Sequence, residues 1–183
     1  MPEYRRIYQP GGTYFFTLVT YNRKPIFRSK SARDLLHSTW VDVQSRHKFE
    51  TIAVCLLPEH IHAIWKLPEG DSDYPMRWKE IKRLFTREYL RQIGPGESRS
   101  ESRQIQGEAA IWQRRYWTHV IFDQNDLNNH IYYIHINPLK HGLVNQVSDW
   151  EFSSFHKFVK DEIYPADWGG KVSMNLKETD RGE

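Results

Sequence analysis

The stretch 50-ETIAVCLLPEHIHAIWKL-67 decides how the chain folds. Two runs of mostly aliphatic and β-branched residues flank Pro58 and Glu59, a connection short enough to join antiparallel strands over residues 50–57 and 60–67. The second run carries His60 and His62 with Ile61 between them. A strand rises about 3.3 Å per residue and alternates faces, so both imidazoles share one face while Ile61 turns to the other. Two imidazoles on backbone positions about 6.6 Å apart can converge on one cation through bonds of roughly 2.1 Å. A strand histidine is more often a hydrogen-bonded core residue than a ligand, so the pair needs support from the rest of the chain.

Upstream, the aromatic and β-branched residues 13–21, TYFFTLVTY, form a first strand, opened by Gly11 and Gly12 and closed by NRKP. A helix begins near Ser31, with Leu36, Trp40, Val43 and His47 at helical spacing. Downstream, MRWKEIKRLFTREYLRQIG gives a second helix with Trp78, Ile81, Phe85 and Tyr89 along one side, stopped at GPG. Residues 94–107 are polar and read as a mobile loop. A fourth strand covers 116–122, and a third helix starts at Asp126, is interrupted near Pro138 and ends at Gly142. Aromatic residues in WEFSSFHKFV and YPADW pack back on the domain, which spans 1–170, while 171–183 reads as a flexible C-terminal tail. This element order predicts an α+β fold, an antiparallel sheet with helices on its faces.

A 39% hydrophobic and 14% aromatic composition over 183 residues excludes a disordered chain and suits one domain. Cys55 stands alone, which excludes an intramolecular disulfide. The N-terminal residues lack an apolar signal core and no window approaches 18 apolar residues, so a soluble cytoplasmic protein without a membrane partner is expected. A net charge of +3 permits a nucleic-acid partner without requiring one.

The third helix supplies the support that the histidines need. With Tyr133 at 0° and about 100° per residue, Asn137, His130 and His141 fall near 40°, 60° and 80°. They form a polar edge beside an apolar stripe of Leu127, Ile131, Ile134 and Pro138. Tyr132 is turned about 100° away. A tyrosine oxygen can attack phosphorus, but a pKa of about 10 makes it a weak nucleophile unless a metal or base assists. Asn137, one turn on, can offer an amide oxygen to such a metal. The competing reading is a tyrosine that anchors the helix by its ring.

HIH at 60–62, followed by YIHINPLKHG at 133–142, resembles the single-tyrosine HUH transposases, and specifically the REP-associated tyrosine transposases of bacteria. The resemblance extends over TYFFTLVTYNRKPIF, LLPEHIHAIWKLPEGD, WQRRYWTHVI and WEFSSFHKFV, and so over most of residues 5–170. It implies a ferredoxin-like α+β fold with an antiparallel sheet of about four strands. It also implies single-stranded or hairpin DNA of repetitive extragenic palindromes as substrate, and a metal-dependent cut and strand transfer through a 5′-phosphotyrosine. By motif, Tyr133 matches the nucleophile, His60 and His62 the two metal-binding histidines, and Asn137 the third ligand, where many members of the wider family have glutamine. The expected cation is Mg²⁺ or Mn²⁺. A monomer is expected, with a dimer as the alternative.

Between residues 77 and 115 the basic excess exceeds that of the whole chain, and the cations interleave with Trp112, Tyr116 and Trp117. That pattern suits phosphate contacts combined with base stacking, although a solvated helix face gives the same signal. The expected DNA contacts are Lys82, Arg83, Arg87, Arg114, Arg115, Trp117, His119, Lys140 and His141. Two other readings remain open: a non-cleaving DNA- or RNA-hairpin-binding regulator, and a metal-dependent phosphodiesterase without a covalent intermediate. Neither needs the complete set of His60, His62, Tyr133 and Asn137.

Overall fold

The computed structural model describes residues 7–94 and 100–169. Strands β1 (Thr13–Val19), β2 (Glu50–Leu56), β3 (His60–Lys66) and β4 (Trp117–Val120) form one sheet in the order β2-β3-β1-β4, with every neighbouring pair antiparallel. Helix α1 (Lys30–Arg46) links β1 to β2, and α2 (Tyr74–Gln92) lies between β3 and β4. Two interleaved β-α-β units of this kind are the ferredoxin-like arrangement.

The alternation of side chains along the strands divides the molecule into two layers. Tyr14, Phe16, Leu18, Ile61, Ala63 and Trp65 face α1 and α2, in one core with Leu36, Val43, Trp78, Ile81 and Phe85. The Trp65 and Trp78 rings stack at 4.0 Å in its centre. Phe15, Ala53, Cys55 and Ile64 point the other way and pack on α4 (Gln124–Lys140) and α5 (Phe155–Lys160) through Ile131, Tyr133, Ile134 and Phe158. His60 and His62 belong to this second side, as their spacing requires. Among the described residues, no helix is long and apolar enough to cross a membrane.

Several boundaries differ from the sequence expectation. The first strand ends at Val19, and Tyr21–Arg23 form a 3-10 turn in which Asn22 and Arg23 adopt φ of 52° and 51°. The polar run 94–107 is not simply a loop: Glu101–Ile105 form a short helix, α3. Its Arg103 is buried, donating to the carbonyls of Ala109 and Trp112 and lying over the Tyr21 ring. An arginine in a polar run reads as solvent-facing, yet its guanidinium can satisfy buried carbonyls.

Helix α4 starts earlier than expected because Asp123 caps it, accepting from the Asp126 amide. It also runs through Pro138 without interruption. Pro138 stands in the last turn, and its missing N–H leaves the Ile134 carbonyl without that helical donor. Beyond it Gly142 takes φ 64°, and the amides of Gly142 and Leu143 donate to the carbonyls of Leu139 and Pro138, closing the helix. The tail expected at 171–183 lies outside the described residues.

Candidate active site

β3 and α4 bring the chemistry together. His62 sits opposite Thr17 in the β1–β3 ladder, and the Thr17 hydroxyl lies 3.0 Å from its Nδ1. His60 Nδ1 lies 3.0 Å from a carboxylate oxygen of Glu59, which can only accept, so Nδ1 of His60 carries the proton. That hydrogen bond holds the Glu59 carboxyl below the usual carboxylate range, against the opposing effect of burial. With its Nδ1 engaged, His60 has Nε2 as the nitrogen left for another partner.

Both imidazoles are fully buried, with ring centroids 4.8 Å apart and planes at 81°. Two imidazoles that meet near a right angle on one cation, through bonds of about 2.1 Å, would have centroids roughly 4.6 Å apart. His60 Nε2 is buried without a hydrogen-bond partner, an arrangement that is costly unless something else occupies the nitrogen. These residues therefore fit a divalent cation.

Tyr133 projects from α4 onto this pair. It is 3% exposed, with its ring 5.3 Å from that of His62 and 6.1 Å from Phe15. Asn137, one turn further on, is fully buried. The exposed end of the helix brings His141 to 5.3 Å from the His60 ring and the Lys140 ammonium to 5.1 Å from the Tyr133 ring centre. Tyr132 faces away and meets Trp168.

No protein-family model matches the chain. It is 43% identical over 173 residues, 94% of either protein, to the REP-associated tyrosine transposase of Escherichia coli (strain K12). The chain belongs to the REP-associated tyrosine transposases. A Haemophilus influenzae protein named for the same family is 44% identical over 179 residues, 97% of this chain and 98% of that protein. A solved structure of a REP-associated tyrosine transposase bound to a REP hairpin covers 100% of this chain and 98% of its own, with a TM-score of 0.80 and 41% identity.

The expected DNA contacts fall in different places on this fold. Lys140 and His141 stand at the mouth of the site. Lys82, Arg83 and Arg87 lie on α2, across the sheet from α4. Lys82 donates to the Gln113 carbonyl, Arg83 pairs with Glu80 and Arg87 with Glu88. Arg114 is tied to Glu108 and Ser102, while Arg115 is exposed beside it. Trp117 and His119 stack at 5.8 Å on the α4 side of the sheet, with Trp117 edge-on to Phe15.

Sequence reasoning missed three features of this face. Thr17 and Glu59 orient the two histidines, but only the strand register and the turn geometry bring them there. His119, Asp126 and His130 form a second polar group. Asp126 places one oxygen 2.8 Å from His119 Nε2 and the other 3.0 Å from His130 Nδ1, and the two rings stack at 4.7 Å. Burial opposes ionisation of Asp126, but hydrogen bonds from His119 and the Phe122 amide outweigh it and hold the carboxyl below its usual range. The helical half of this group, Asp126 and His130 at i and i+4, is legible in DLNNH. Finally, His135 is wholly buried beside Phe158 and Tyr164, with Nε2 2.9 Å from the Ser154 hydroxyl. Burial, aided by His156, pulls its pKa down to about 3.

Proposed function

We propose that the protein binds a REP-type DNA hairpin and cleaves and rejoins the adjoining single strand through Tyr133. The reading rests on one observation above all: the Tyr133 ring stands 5.3 Å from His62, beside a His60 whose buried Nε2 lacks a hydrogen-bond partner. In the forward step Tyr133 Oη bonds to phosphorus as the P–O3′ bond breaks, leaving a 5′-phosphotyrosine and a free 3′-hydroxyl. The phenol proton is balanced by the proton that the 3′ oxygen gains. Attack by a 3′-hydroxyl reverses the step and reseals or transfers the strand.

His60 and His62, through Nε2, and the Asn137 amide oxygen are the residues that would hold Mg²⁺ or Mn²⁺. Such a cation supplies polarisation of the phosphoryl group and stabilises developing charge. Thr17 and Glu59 fix the two imidazole orientations, and burial of the Tyr133 ring limits where its oxygen can reach. Lys140 and His141, exposed at the end of α4, would meet strand phosphates at the mouth. The hairpin preference is supported by the REP hairpin in the related solved structure.

The test is a hairpin with its single-stranded flank labelled on the 3′ side of the cut, run on a denaturing gel after incubation with Mg²⁺ or Mn²⁺. A labelled protein band should form with wild type and Tyr132→Phe and disappear with Tyr133→Phe or His60→Ala, while hairpin binding by Tyr133→Phe persists. A band from Tyr133→Phe would overturn the assignment. Hairpin binding with no band under any condition would leave a non-cleaving binder.

A further inference from the structure

Asp126 lies in the first turn of α4, and His130 follows it by one turn on the same side. His119 reaches them from β4, the short edge strand. One donor atom from each residue lies within 4.8 Å of the other two, and both oxygens of Asp126 are used, one toward each imidazole. The 2.8 Å between His119 Nε2 and Asp126 matches the spacing of about 3.0 Å between adjacent ligands on a cation with bonds near 2.1 Å. His130 Nδ1, 3.0 Å from the other carboxylate oxygen, also faces the Asp126 backbone carbonyl at 2.9 Å, a hydrogen bond that ligation would replace. His119 is 27% exposed and Asp126 21%, so an incoming ion and its waters have a path to the group.

We infer that His119, Asp126 and His130 form a second cation site, selective for a divalent transition metal such as Zn²⁺. Two imidazoles and one carboxylate favour that class over Mg²⁺, a hard ion that seeks oxygen ligands. The site is distinct from the His60–His62 pair. Phe15 stands between them, with its ring 4.8 Å from His130 and 5.6 Å from His62. A cation here joins β4 to the helix that carries Tyr133, bracing a four-residue strand whose one ladder among the described residues is with β1. The alternative is a purely hydrogen-bonded clamp, with Asp126 shared between two imidazoles.

Calorimetric titration separates the two. The full chain carrying His60→Ala and His62→Ala, stripped with a chelator, removes the other histidine pair. It should still bind one Zn²⁺ per chain, gain thermal stability on binding and show no stoichiometric Mg²⁺ uptake. With Co²⁺ it should give visible absorption bands characteristic of nitrogen and oxygen ligation. Adding Asp126→Asn should abolish the binding, the bands and the thermal shift. His119→Ala, at a partly exposed position, should do the same if Asp126→Asn disturbs folding. No Zn²⁺ uptake by the His60→Ala/His62→Ala chain, or uptake that survives both further substitutions, overturns the inference. The adduct experiment on otherwise wild-type protein reads Tyr133 separately, so the two proposals fail independently.

Discussion

The hydroxyl of Thr17 lies 3.0 Å from Nδ1 of His62, directly across the ladder that joins β1 to β3. Both side chains are fully buried, so the contact fixes the imidazole where water cannot substitute. A hydrogen bond to one ring nitrogen sets which nitrogen is offered to a metal, and losing such a partner typically lowers metal affinity by about 10–100-fold.

Thr17→Val keeps the β-branched shape that suits the strand and removes only the hydroxyl. Urea denaturation should show a loss of about 1–3 kcal/mol, the usual cost when a buried polar atom loses its partner. Mn²⁺ affinity measured by calorimetry should fall by roughly 10-fold or more. A destabilised variant with unchanged Mn²⁺ affinity would make Thr17 purely structural.

His135 links stability to pH. Its folded pKa of about 3 lies below the ordinary value of 6.5, so burial keeps it neutral. Above pH 6.5 both folded and unfolded forms are neutral and the residue has no effect on the pH dependence. As pH falls below that point, only the unfolded chain gains the proton, and stability is lost until the folded pKa is reached. Between pH 7 and pH 5 the loss should be about 2 kcal/mol, from 1.36 kcal/mol per pH unit. Denaturant midpoints for wild type and His135→Leu at the two pH values test this: the variant should lose less stability by that difference.

Salt dependence distinguishes the mouth of the site from the far layer. Arg83 and Arg87 already face Glu80 and Glu88 on α2. Lys140 is exposed at the end of α4, beside Tyr133. For hairpin binding, Lys140→Ala should flatten the log–log salt slope by about 0.7–0.9, one phosphate contact. Joint Arg83→Ala and Arg87→Ala substitution should leave the slope unchanged. The reverse pattern would move the DNA to the α2 side.

How much of the site could be read in advance depended on whether its parts share an element. His60 and His62 lie two apart on a strand, and Tyr133 and Asn137 four apart on a helix, so backbone periods alone put each pair on one face. Thr17 and His119 required the register of β1 with β3 and β4, which no local period encodes. Pro138 was a misleading stop signal, because its cost in a last turn is outweighed by packing of Ile136 and Asn137, both fully buried. His135 gave no warning: a polar letter in an apolar stretch, it has only its Nε2 partnered, by Ser154 on a segment that crosses the β2 edge.

Alternate residues of β1 serve opposite layers: Phe15 and Thr17 face the chemistry, while Tyr14, Phe16 and Leu18 face the aromatic core. A slip of β3 against β1 by one residue would exchange its two faces. His60 and His62 would then be thrust among the tryptophans, and Trp65 toward Tyr133. The same alignment that keeps charge and polarity out of the large core thus assembles the proposed strand-cutting centre. A misregistered copy would be disarmed by the error that spoiled its packing, a built-in safety for the proposed strand-cutting activity.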